Sequence, residues 1–494
     1  DWQAALEYVA NGLRDIVTQH GPDALGALAA PNSTLEELHL LQKLVRGLGC
    51  DNVDHRLRQS DFRADGSRLG VPWLGQSIEE VQAAQAILLV GSNIRKEQPL
   101  LAHRVRQAVK HRARLNVINP FDVDMLCPVA HKLIVSPGLL VQALAQVLKA
   151  AATRKGVALA DGYAERLAGV EVGMEAQAVA DSLCAVDRPC ILLGNLAQHH
   201  PRAAELTSLA AELARITGAR WGFMAEAANS VGAYCAGALP RAGGRHAAAM
   251  LQEPRRAYLL LHAEPELDAH DARAARTALE QAELVVALSP FRDQALDYAH
   301  VILPVAAFAE TAGTYVNMEG RVQSFAAAVK PPGEARPAWK VLRVLGNLFG
   351  LPGFDQDSAE AVRREVLGPD DTLPLPLNNA LSVPVLADPT PRGAGLCRIG
   401  EVPIYQLDAL TRRAAALQAT RDARPPVARL NPRLLDRLGL GPGDMVVLRQ
   451  GQGQATLPAV ADPGVPEDCV HVAAAHPLTL GLAGMFDPIT VERA

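Results

Sequence analysis

Apolar residues recur along the chain with two different spacings, and the two alternate. Residues 2–20 carry apolar side chains at helical spacing, whereas residues 86–90 form a short unbroken apolar run of strand length. Further helices are predicted at residues 34–47, 99–110, 139–151, 203–217 and 272–282. Further strands are predicted at residues 24–30, 115–118, 133–135, 190–193, 258–262, 285–288 and 301–303. This alternation is typical of the α/β class, in which helices cover parallel sheets.

A polar hairpin is predicted after the strand at residues 301–303. Pro304 ends that strand, and residues 314–317 and 321–325 form two short strands joined at residues 318–320. Gly320 supplies the positive φ that such a turn needs. The pattern leaves two interpretations open: a loop that lines a cofactor cleft, or a turn with a charged rim.

The C-terminal third of the chain differs in composition. Residues 351–426 are rich in proline and acidic residues and are predicted to be a linker with one helix, at 407–419. Beyond it a strand at 427–430, a helix at 432–438 and three strands follow, at 445–449, 454–461 and 470–473. Short strands separated by glycine and proline indicate a small β-barrel over residues 427–494.

Composition excludes several classes of function. A chain of 494 residues suits about three domains, and a net charge of −5 without a basic stripe argues against nucleic acid as a partner. No apolar run approaches the roughly 20 residues of a membrane helix, so no direct membrane insertion is expected. The first residues lack a signal-peptide pattern and begin within a helical pattern, so we expect a fragment of a longer polypeptide.

The seven cysteines are scattered and form no Cys-x-x-Cys pair. This usage suits a reducing cytoplasm, with cysteines acting as small buried side chains and not as ligands of a metal or cluster. Ligands of α/β proteins bind where strands end, which directs attention to residues 91–93, 194–195, 263–265 and 289–290. None of these loops has a dinucleotide fingerprint or a P-loop. The polar residues 52–62 are either a ligand loop or a solvated connector with its own ion pairs.

Several stretches in the same order resemble one family, the G-type subunits of NADH-quinone oxidoreductase (respiratory complex I), whose mitochondrial counterpart is the 75-kDa subunit. The similarity is to the C-terminal, molybdopterin-oxidoreductase-like region of these subunits. It rests on Asn32-Ser-Thr-Leu-Glu-Glu, Asn52-Val-Asp, Ile87-Leu-Leu-Val-Gly-Ser-Asn, Glu226-Ala-Ala-Asn-Ser-Val-Gly, Phe308 through Gln323, and Pro337-Ala-Trp-Lys.

The resemblance implies two interleaved Rossmann-like parallel-sheet domains of the molybdopterin oxidoreductase type, residues 1–55 with 226–350 and residues 56–225, and a C-terminal double-psi β-barrel. It implies a structural region without cofactor, metal or catalytic residues, which takes part in NADH-to-quinone electron transfer through the assembly. The 2Fe-2S and 4Fe-4S clusters would lie in an N-terminal region upstream. The implied partners are that region and other hydrophilic-arm subunits, on the cytoplasmic face of the inner membrane.

The wider superfamily provides an alternative, because it includes molybdenum and tungsten enzymes such as formate dehydrogenases. In that case the chain would hold molybdopterin guanine dinucleotide, with Ser60 at the position of a metal ligand. The pterin contacts implied by this resemblance, which are also the candidates for a vestigial cleft, are Gly91, Asn93, Asn229, Gly232, Asn317, Glu319 and Arg321.

Overall fold

The computed structural model describes residues 1–293, 295–391 and 395–494. These residues form two compact units, each discontinuous along the chain. Unit 1 comprises Asp1–Arg58, Glu226–Pro376 and Tyr405–Gln418, and unit 2 comprises Gln59–Ala225, Leu377–Ile404 and Ala419–Ala494. Among the described residues, none of the helices combines the length and the apolar character needed to cross a membrane.

Helices and strands are numbered along the chain. The helices are α1 (Trp2–His20), α2 (Leu35–Gly47), α3 (Ile78–Gln82), α4 (Ile94–Glu97), α5 (Pro99–Lys110), α6 (Leu140–Lys155), α7 (Tyr163–Leu167), α8 (Met174–Cys184), α9 (Asn195–Gln198), α10 (Ala203–Thr217), α11 (Ser230–Cys235), α12 (Ala247–Gln252), α13 (Pro265–Asp268), α14 (Ala272–Glu280), α15 (Ala338–Leu348), α16 (Ala359–Leu367), α17 (Ala409–Arg413), α18 (Ala415–Gln418) and α19 (Pro432–Leu438). The strands are β1 (Leu25–Ala29), β2 (Val53–Asp54), β3 (Ala86–Val90), β4 (Arg114–Asn119), β5 (His131–Ile134), β6 (Pro189–Leu193), β7 (Arg220–Phe223), β8 (Ala257–Leu261), β9 (Leu284–Ser289), β10 (Val301–Pro304), β11 (Gly313–Val316), β12 (Val322–Phe325), β13 (Cys397–Ile399), β14 (Ala428–Leu430), β15 (Met445–Gln450), β16 (Gly453–Ala461), β17 (Cys469–His471) and β18 (Thr490–Arg493).

Unit 1 is built on a parallel five-stranded sheet in the order β10-β9-β8-β1-β2. Strands β1, β8 and β9 are buried along their whole length, which explains their unbroken apolar sequences. Helix α2 begins with the predicted capping box: the Thr34 hydroxyl accepts from the Glu37 amide, and the Thr34 amide donates to the Glu37 carboxylate. The loop between β1 and α2 is therefore fixed by local hydrogen bonds.

Unit 2 contains a second parallel sheet, in the order β5-β4-β3-β6-β7. Its central strand β3 spans the residues predicted for it, and every one of them is buried. Apolar side chains of α6, α8 and α10 form a core cluster with β3 and β6. The predicted α/β class is confirmed in both units.

The predicted hairpin is present in unit 1 as the antiparallel pair β11 and β12, in which Val316 lies opposite Val322. The Asn317 side chain closes the turn, because its carbonyl oxygen accepts from the backbone amides of Glu319 and Arg321, at 3.1 and 2.9 Å. Gly320 has the expected positive φ, 84°.

The C-terminal sheet of unit 2 has six strands in the order β13-β17-β14-β16-β15-β18. Its two outer strands approach each other: Cys397 of β13 forms an isolated bridge with Pro488, two residues before β18 begins. This curled sheet is compatible with the predicted barrel. Strand β13 of this sheet lies within residues 351–426, the segment predicted as a linker. That segment also contains α16, α17 and α18. It is therefore more regular than a proline-rich linker with one helix.

Candidate functional site

The carboxyl ends of the two parallel sheets are the candidate sites, and the first of them, in unit 2, is built around the loop after β3. Gly91 has a φ of 60°, and a Cβ placed there would lie 2.4 Å from the amide nitrogen of Ala197. The loop is tied to β4, because the Ser92 amide donates to the Asn119 side chain and the Asn119 side chain donates back to the Ser92 carbonyl. Gly91 is thus required for close packing against α9.

Two carboxyl groups lie at this edge. The Glu97 carboxylate accepts from the Ser92 hydroxyl at 3.0 Å, and the Asn93 side chain donates to Glu401. Burial, followed by the neighbouring Glu401 carboxylate, raises the pKa of Glu97 to about 7. Glu401 also lies 3.2 Å from the imidazole of His471. Within the described part of the chain, the buried side-chain carbonyl oxygen of Asn93 has no hydrogen-bond partner.

Ser60 is also in unit 2, half-buried and already hydrogen-bonded. Its hydroxyl donates to the backbone carbonyl of His199 at 2.8 Å, at the end of α9. Because Ala197 of α9 packs on Gly91, Ser60 and the Gly91 loop are both attached to this one short helix. Three of the predicted site residues, Ser60, Gly91 and Asn93, therefore belong to one unit.

Unit 1 holds the other five predicted residues, in two groups. Asn229 is fully buried, where its side chain donates to the carbonyl of Ser33 at 2.7 Å and accepts from the amide of Val316 at 2.8 Å. Gly232 packs against it so closely that a Cβ would lie 2.0 Å from the Asn229 side-chain oxygen. Asn229 thus fastens the hairpin to the loop before α2.

The second group, Asn317, Glu319 and Arg321, forms the hairpin turn. Glu319 and Arg321 lie 3.3 Å apart as an ion pair, with 70% of the Arg321 side chain exposed. Their contacts are those of a well-ordered turn.

A small cavity of about 40 Å³ lies at the carboxyl edge of the unit 1 sheet. His262, directly after β8, has a positive φ of 53° and lies 3.3 Å from the Glu37 carboxylate. Burial would raise the pKa of Glu37, but His262 and the Thr34 amide outweigh it and lower that pKa. The buried hydroxyl of Ser33 has no hydrogen-bond partner in the described residues. The remaining lining residues are Asn32, Thr34, Pro290, Ala306, Ala307, Phe308, Thr311, Tyr315, Ala409 and Leu410.

A network of buried charges in unit 1 lies next to this edge. The Arg412 guanidinium binds the carboxylates of Glu264 and Asp268, at 2.9 and 3.0 Å, with only 5% of its side chain exposed. Arg413 binds Glu264 and Asp293. The sequence pattern identifies residues 263–265 as the end of a strand, but no local signal connects them with arginines about 150 residues later.

The polar segment at residues 52–62 is not a solvated connector. Asp54 is fully buried and binds Arg56, while Arg58 binds Asp268 and Glu226. The buried charges, Asp54, Arg56, Arg58 and Asp268, each have an oppositely charged partner, which removes the cost of an unpaired buried charge. The sequence predicts ion pairs in this segment but not their burial.

Metal ligands do not gather in the described ranges: no group of three or more His, Cys, Asp or Glu side chains could hold an ion there. The seven cysteines are free thiols, and Cys50, Cys190, Cys235 and Cys469 are buried. Burial raises the pKa of the Cys190 thiol to about 12, as expected for a packing side chain.

Proteins of known sequence that are similar to this chain fall into two groups, which differ in how much of the chain they cover. The chain is 28% identical to NADPH-Fe(3+) oxidoreductase subunit alpha of Geobacter sulfurreducens over 402 residues, which cover 70% of this chain and 48% of that protein. It is 25% identical to the F420-dependent formate dehydrogenase subunit alpha of Methanocaldococcus jannaschii over 428 residues, 74% of this chain and 62% of that protein. It is 28% identical to the G-type subunit of NADH-quinone oxidoreductase of Streptomyces coelicolor over 494 aligned residues, 92% of this chain and 57% of that protein.

The chain thus spans about half the length of the curated relatives it matches. Among solved structures, acetylene hydratase from Pelobacter acetylenicus has the same fold, with a TM-score of 0.75 and 16% identity, over 100% of this chain and 89% of that one. The family description "Molybdopterin oxidoreductase" matches residues 1–348, more than two thirds of the sequence. The chain belongs to the molybdopterin oxidoreductase family.

Proposed function

We propose that this chain is the molybdopterin-oxidoreductase-like region of a G-type (75-kDa) subunit of NADH-quinone oxidoreductase, and that it serves as a structural region without a pterin. The observation that carries the proposal is the state of the two strand edges, whose polar groups are largely bonded within the chain and include buried carboxylates. A pterin dinucleotide carries a pyrophosphate, which is bound by N–H groups and cations. Buried acids next to the binding loop oppose such a ligand.

In unit 2 this opposition comes from Glu97 and Glu401. Both carboxyl groups are bonded to the Gly91 loop, through Ser92 and Asn93. A phosphate placed at that loop would add negative charge beside two acids, and the Glu97 carboxyl could meet that charge only by staying protonated. The residues present therefore fit a pyrophosphate poorly.

In unit 1 the same conclusion follows from size and charge. The cavity at the strand edge, of about 40 Å³, accommodates a few water molecules and is far below the roughly 300 Å³ of a typical ligand pocket. The nearby cations, Arg412 and Arg413, are already paired with carboxylates. Both are therefore occupied before any phosphate approaches.

The extent of the sequence matches supports the choice of a complex I subunit. The G-type subunit of Streptomyces coelicolor aligns over 92% of this chain, whereas the formate dehydrogenase of Methanocaldococcus jannaschii aligns over 74%. On this proposal the chain contributes to NADH-to-quinone electron transfer by packing against other hydrophilic-arm subunits at the cytoplasmic face of the membrane. Iron–sulfur clusters would be bound by a region upstream.

The second candidate is the cofactor-holding part of a molybdenum or tungsten oxidoreductase. Two observations favour it: the similarity to an F420-dependent formate dehydrogenase subunit over 74% of this chain, and the buried carbonyl oxygen of Asn93, which has no hydrogen-bond partner in the described residues. If a pterin binds in unit 2, the Gly91 loop and Asn93 would hold it; if one binds in unit 1, the Asn229 and Asn317 loops would hold that one. The bound group would supply the redox chemistry.

Elemental analysis separates the two candidates. The full-length protein, expressed in cells supplied with molybdate and tungstate, is purified and its metal content measured together with the fluorescence of oxidised pterin. We expect less than roughly a tenth of a molybdenum or tungsten ion per chain and no pterin fluorescence, whatever the iron content. Stoichiometric molybdenum or tungsten with pterin would overturn the proposal. Membership of the complex is tested separately, by asking whether an affinity tag on the protein recovers the other subunits and NADH-driven quinone reduction.

A further inference from the structure

Residues 405–418 form a short segment that belongs to unit 1, although the chain on both sides of it belongs to unit 2. We refer to these residues as the latch. The latch is a compact piece: the Asp408 carboxylate caps α17 by accepting from the Thr411 amide, and the Gln418 side chain donates to the carbonyls of Tyr405 and Thr411. It can therefore move as one body.

Two adjacent arginines hold the latch on unit 1. Arg412 spans Glu264 and Asp268 with both terminal nitrogens, and its pKa rises above the usual value because those carboxylates outweigh the effect of burial. Arg413 pairs with Glu264 and Asp293, and its guanidinium lies 4.5 Å from the centre of the Phe291 ring.

Apolar packing contributes less to this attachment. Within the latch Gln406 and Ala409 are buried, Ala415 and Ala416 are exposed, and the larger apolar side chains, Tyr405, Leu407, Leu410 and Leu417, are partly buried. Partly buried side chains supply less hydrophobic free energy than fully buried ones. The strongest contacts of the latch are therefore the polar ones: the ion pairs of Arg412 and Arg413, and a hydrogen bond of 2.7 Å from the Arg58 side chain to the Leu407 carbonyl.

The latch also lines the cavity at the strand edge of unit 1. Ala409 and Leu410 form part of the cavity wall, together with Ser33 and His262. The interior suits a small polar molecule, because the partnerless Ser33 hydroxyl and the imidazole lie among apolar side chains. The strained backbone of His262 places its ring at this position.

We propose that the latch is a closure held by Arg412 and Arg413, and that its release opens the cavity of Ser33 and His262. The proposal does not depend on whether the chain binds a pterin or assembles into a larger complex. It predicts that access to Ser33 is set by two ion-pair clusters and not by the global unfolding of unit 1.

The test measures access directly. Ser33→Cys places a thiol in the cavity, and its alkylation by iodoacetamide is followed by mass spectrometry of the peptide that contains position 33, in the full-length protein. Cys50, buried in the same unit, is the internal standard for global loosening. We expect Arg412→Gln with Arg413→Gln to speed alkylation at position 33 at least tenfold while the Cys50 rate stays within twofold.

Two further variants keep the result interpretable. Arg276→Gln removes an exposed ion pair with Glu280 elsewhere in unit 1 and should leave the rate within twofold. Adding Glu264→Gln to the double arginine variant removes the carboxylate that loses both of its arginines, whereas Asp268 keeps Arg58 as a partner and is left unchanged. This variant is designed to preserve the fold while the latch remains released. Fast alkylation at position 33 is expected there as well. Unchanged alkylation in this folded variant, or a parallel increase at Cys50, would overturn the proposal.

Discussion

The two parallel sheets differ in how particular acids at their carboxyl edges are held. In unit 1 the carboxylates of Glu264 and Asp268 are neutralised by arginines of the latch. In unit 2 the Glu97 carboxyl is bonded to a neutral hydroxyl and lies near a second acid, which together with burial raises its pKa. One strand topology thus tolerates two solutions to the same problem, the burial of acids at a strand edge.

The two edges should respond differently to substitution. When a cation that pairs with a buried acid is removed, the acid loses the charge that stabilises its ionised form, and the folded state is destabilised. When a buried acid is held by neutral donors, the stability of the folded state instead changes with pH, because the protonation of the acid does. Substitutions at the two edges, and then at the loops beside them, therefore test this difference.

Removing the cation from the unit 1 edge should have the largest effect. Arg412→Gln removes the guanidinium that binds both Glu264 and Asp268, and leaves them only Arg413 and Arg58 as cationic partners, so we expect the free energy of unfolding to fall by about 3 kcal/mol. Hydrogen exchange during urea unfolding would locate the loss in unit 1. Arg276→Gln, at an exposed pair, should cost less than about 0.5 kcal/mol. Equal losses in the two variants would contradict the assignment.

At the unit 2 edge the expected effect depends on pH. Because the folded state raises the pKa of Glu97 from 4.5 to about 7, it binds more protons than the unfolded state between those values. This contribution is complete below pH 4.5 and is lost as pH rises through 7, a decrease of about 3 kcal/mol. Glu97→Gln should abolish it, measured as the difference in unfolding free energy between the variant and the parent across pH 4–8.

The matched control for Glu97 is an exposed acid of the same unit. Glu175→Gln, at a side chain 63% exposed, should leave the pH dependence of the parent unchanged. A parent and a Glu97→Gln variant with parallel pH profiles would show that Glu97 is not the group responsible.

Adding a side chain at Gly91 should have a smaller effect on the free energy of unfolding. Gly91→Ala introduces a Cβ against the Ala197 amide at a positive φ, and we expect a loss of about 2–3 kcal/mol. Gly156→Ala provides the comparison, since Gly156 has a similar φ of 64° and no atom within 4 Å of an added Cβ. That variant should lose only about 1 kcal/mol in thermal or denaturant unfolding.

The hairpin turn should show the smallest effects. Asn317→Ala removes the acceptor for two backbone amides and should cost about 1 kcal/mol. Arg321→Gln, at an exposed ion pair, should change the unfolding free energy by less than about 0.5 kcal/mol. A larger loss for Arg321 than for Asn317 would point to a role for the arginine beyond the turn.

Local patterns predict the elements whose causes are local. The strand at residues 86–90 and the capping box at Thr34 follow from neighbouring residues, and both are present. Strand β2 is not predicted, because a strand of two residues has no period and exists through its pairing with β1. Strand β7, Arg220–Phe223, is not predicted either, since its sequence mixes a charge, two aromatic residues and a glycine.

The candidate site is predicted less well than the fold. Strand ends identify the Gly91 loop and residues 263–265, but the groups that complete these sites come from far along the chain. Asn93 meets Glu401 across 308 residues, and Glu264 meets Arg412 across 148. Such contacts follow from tertiary packing, for which a single sequence carries no periodic signal.

The discontinuity of unit 1 has a consequence for the protein during its synthesis. Strand β1 is aligned with β8, so Leu25 pairs with Ala257. At roughly 5–20 residues per second, the ribosome needs about 10–50 s to make the intervening chain. During this interval β1 is an apolar strand without its neighbour β8, whereas the parallel sheet of unit 2 is completed first. Chaperones that shield emerging apolar segments should therefore engage the N-terminal strand of this chain until β8 leaves the ribosome.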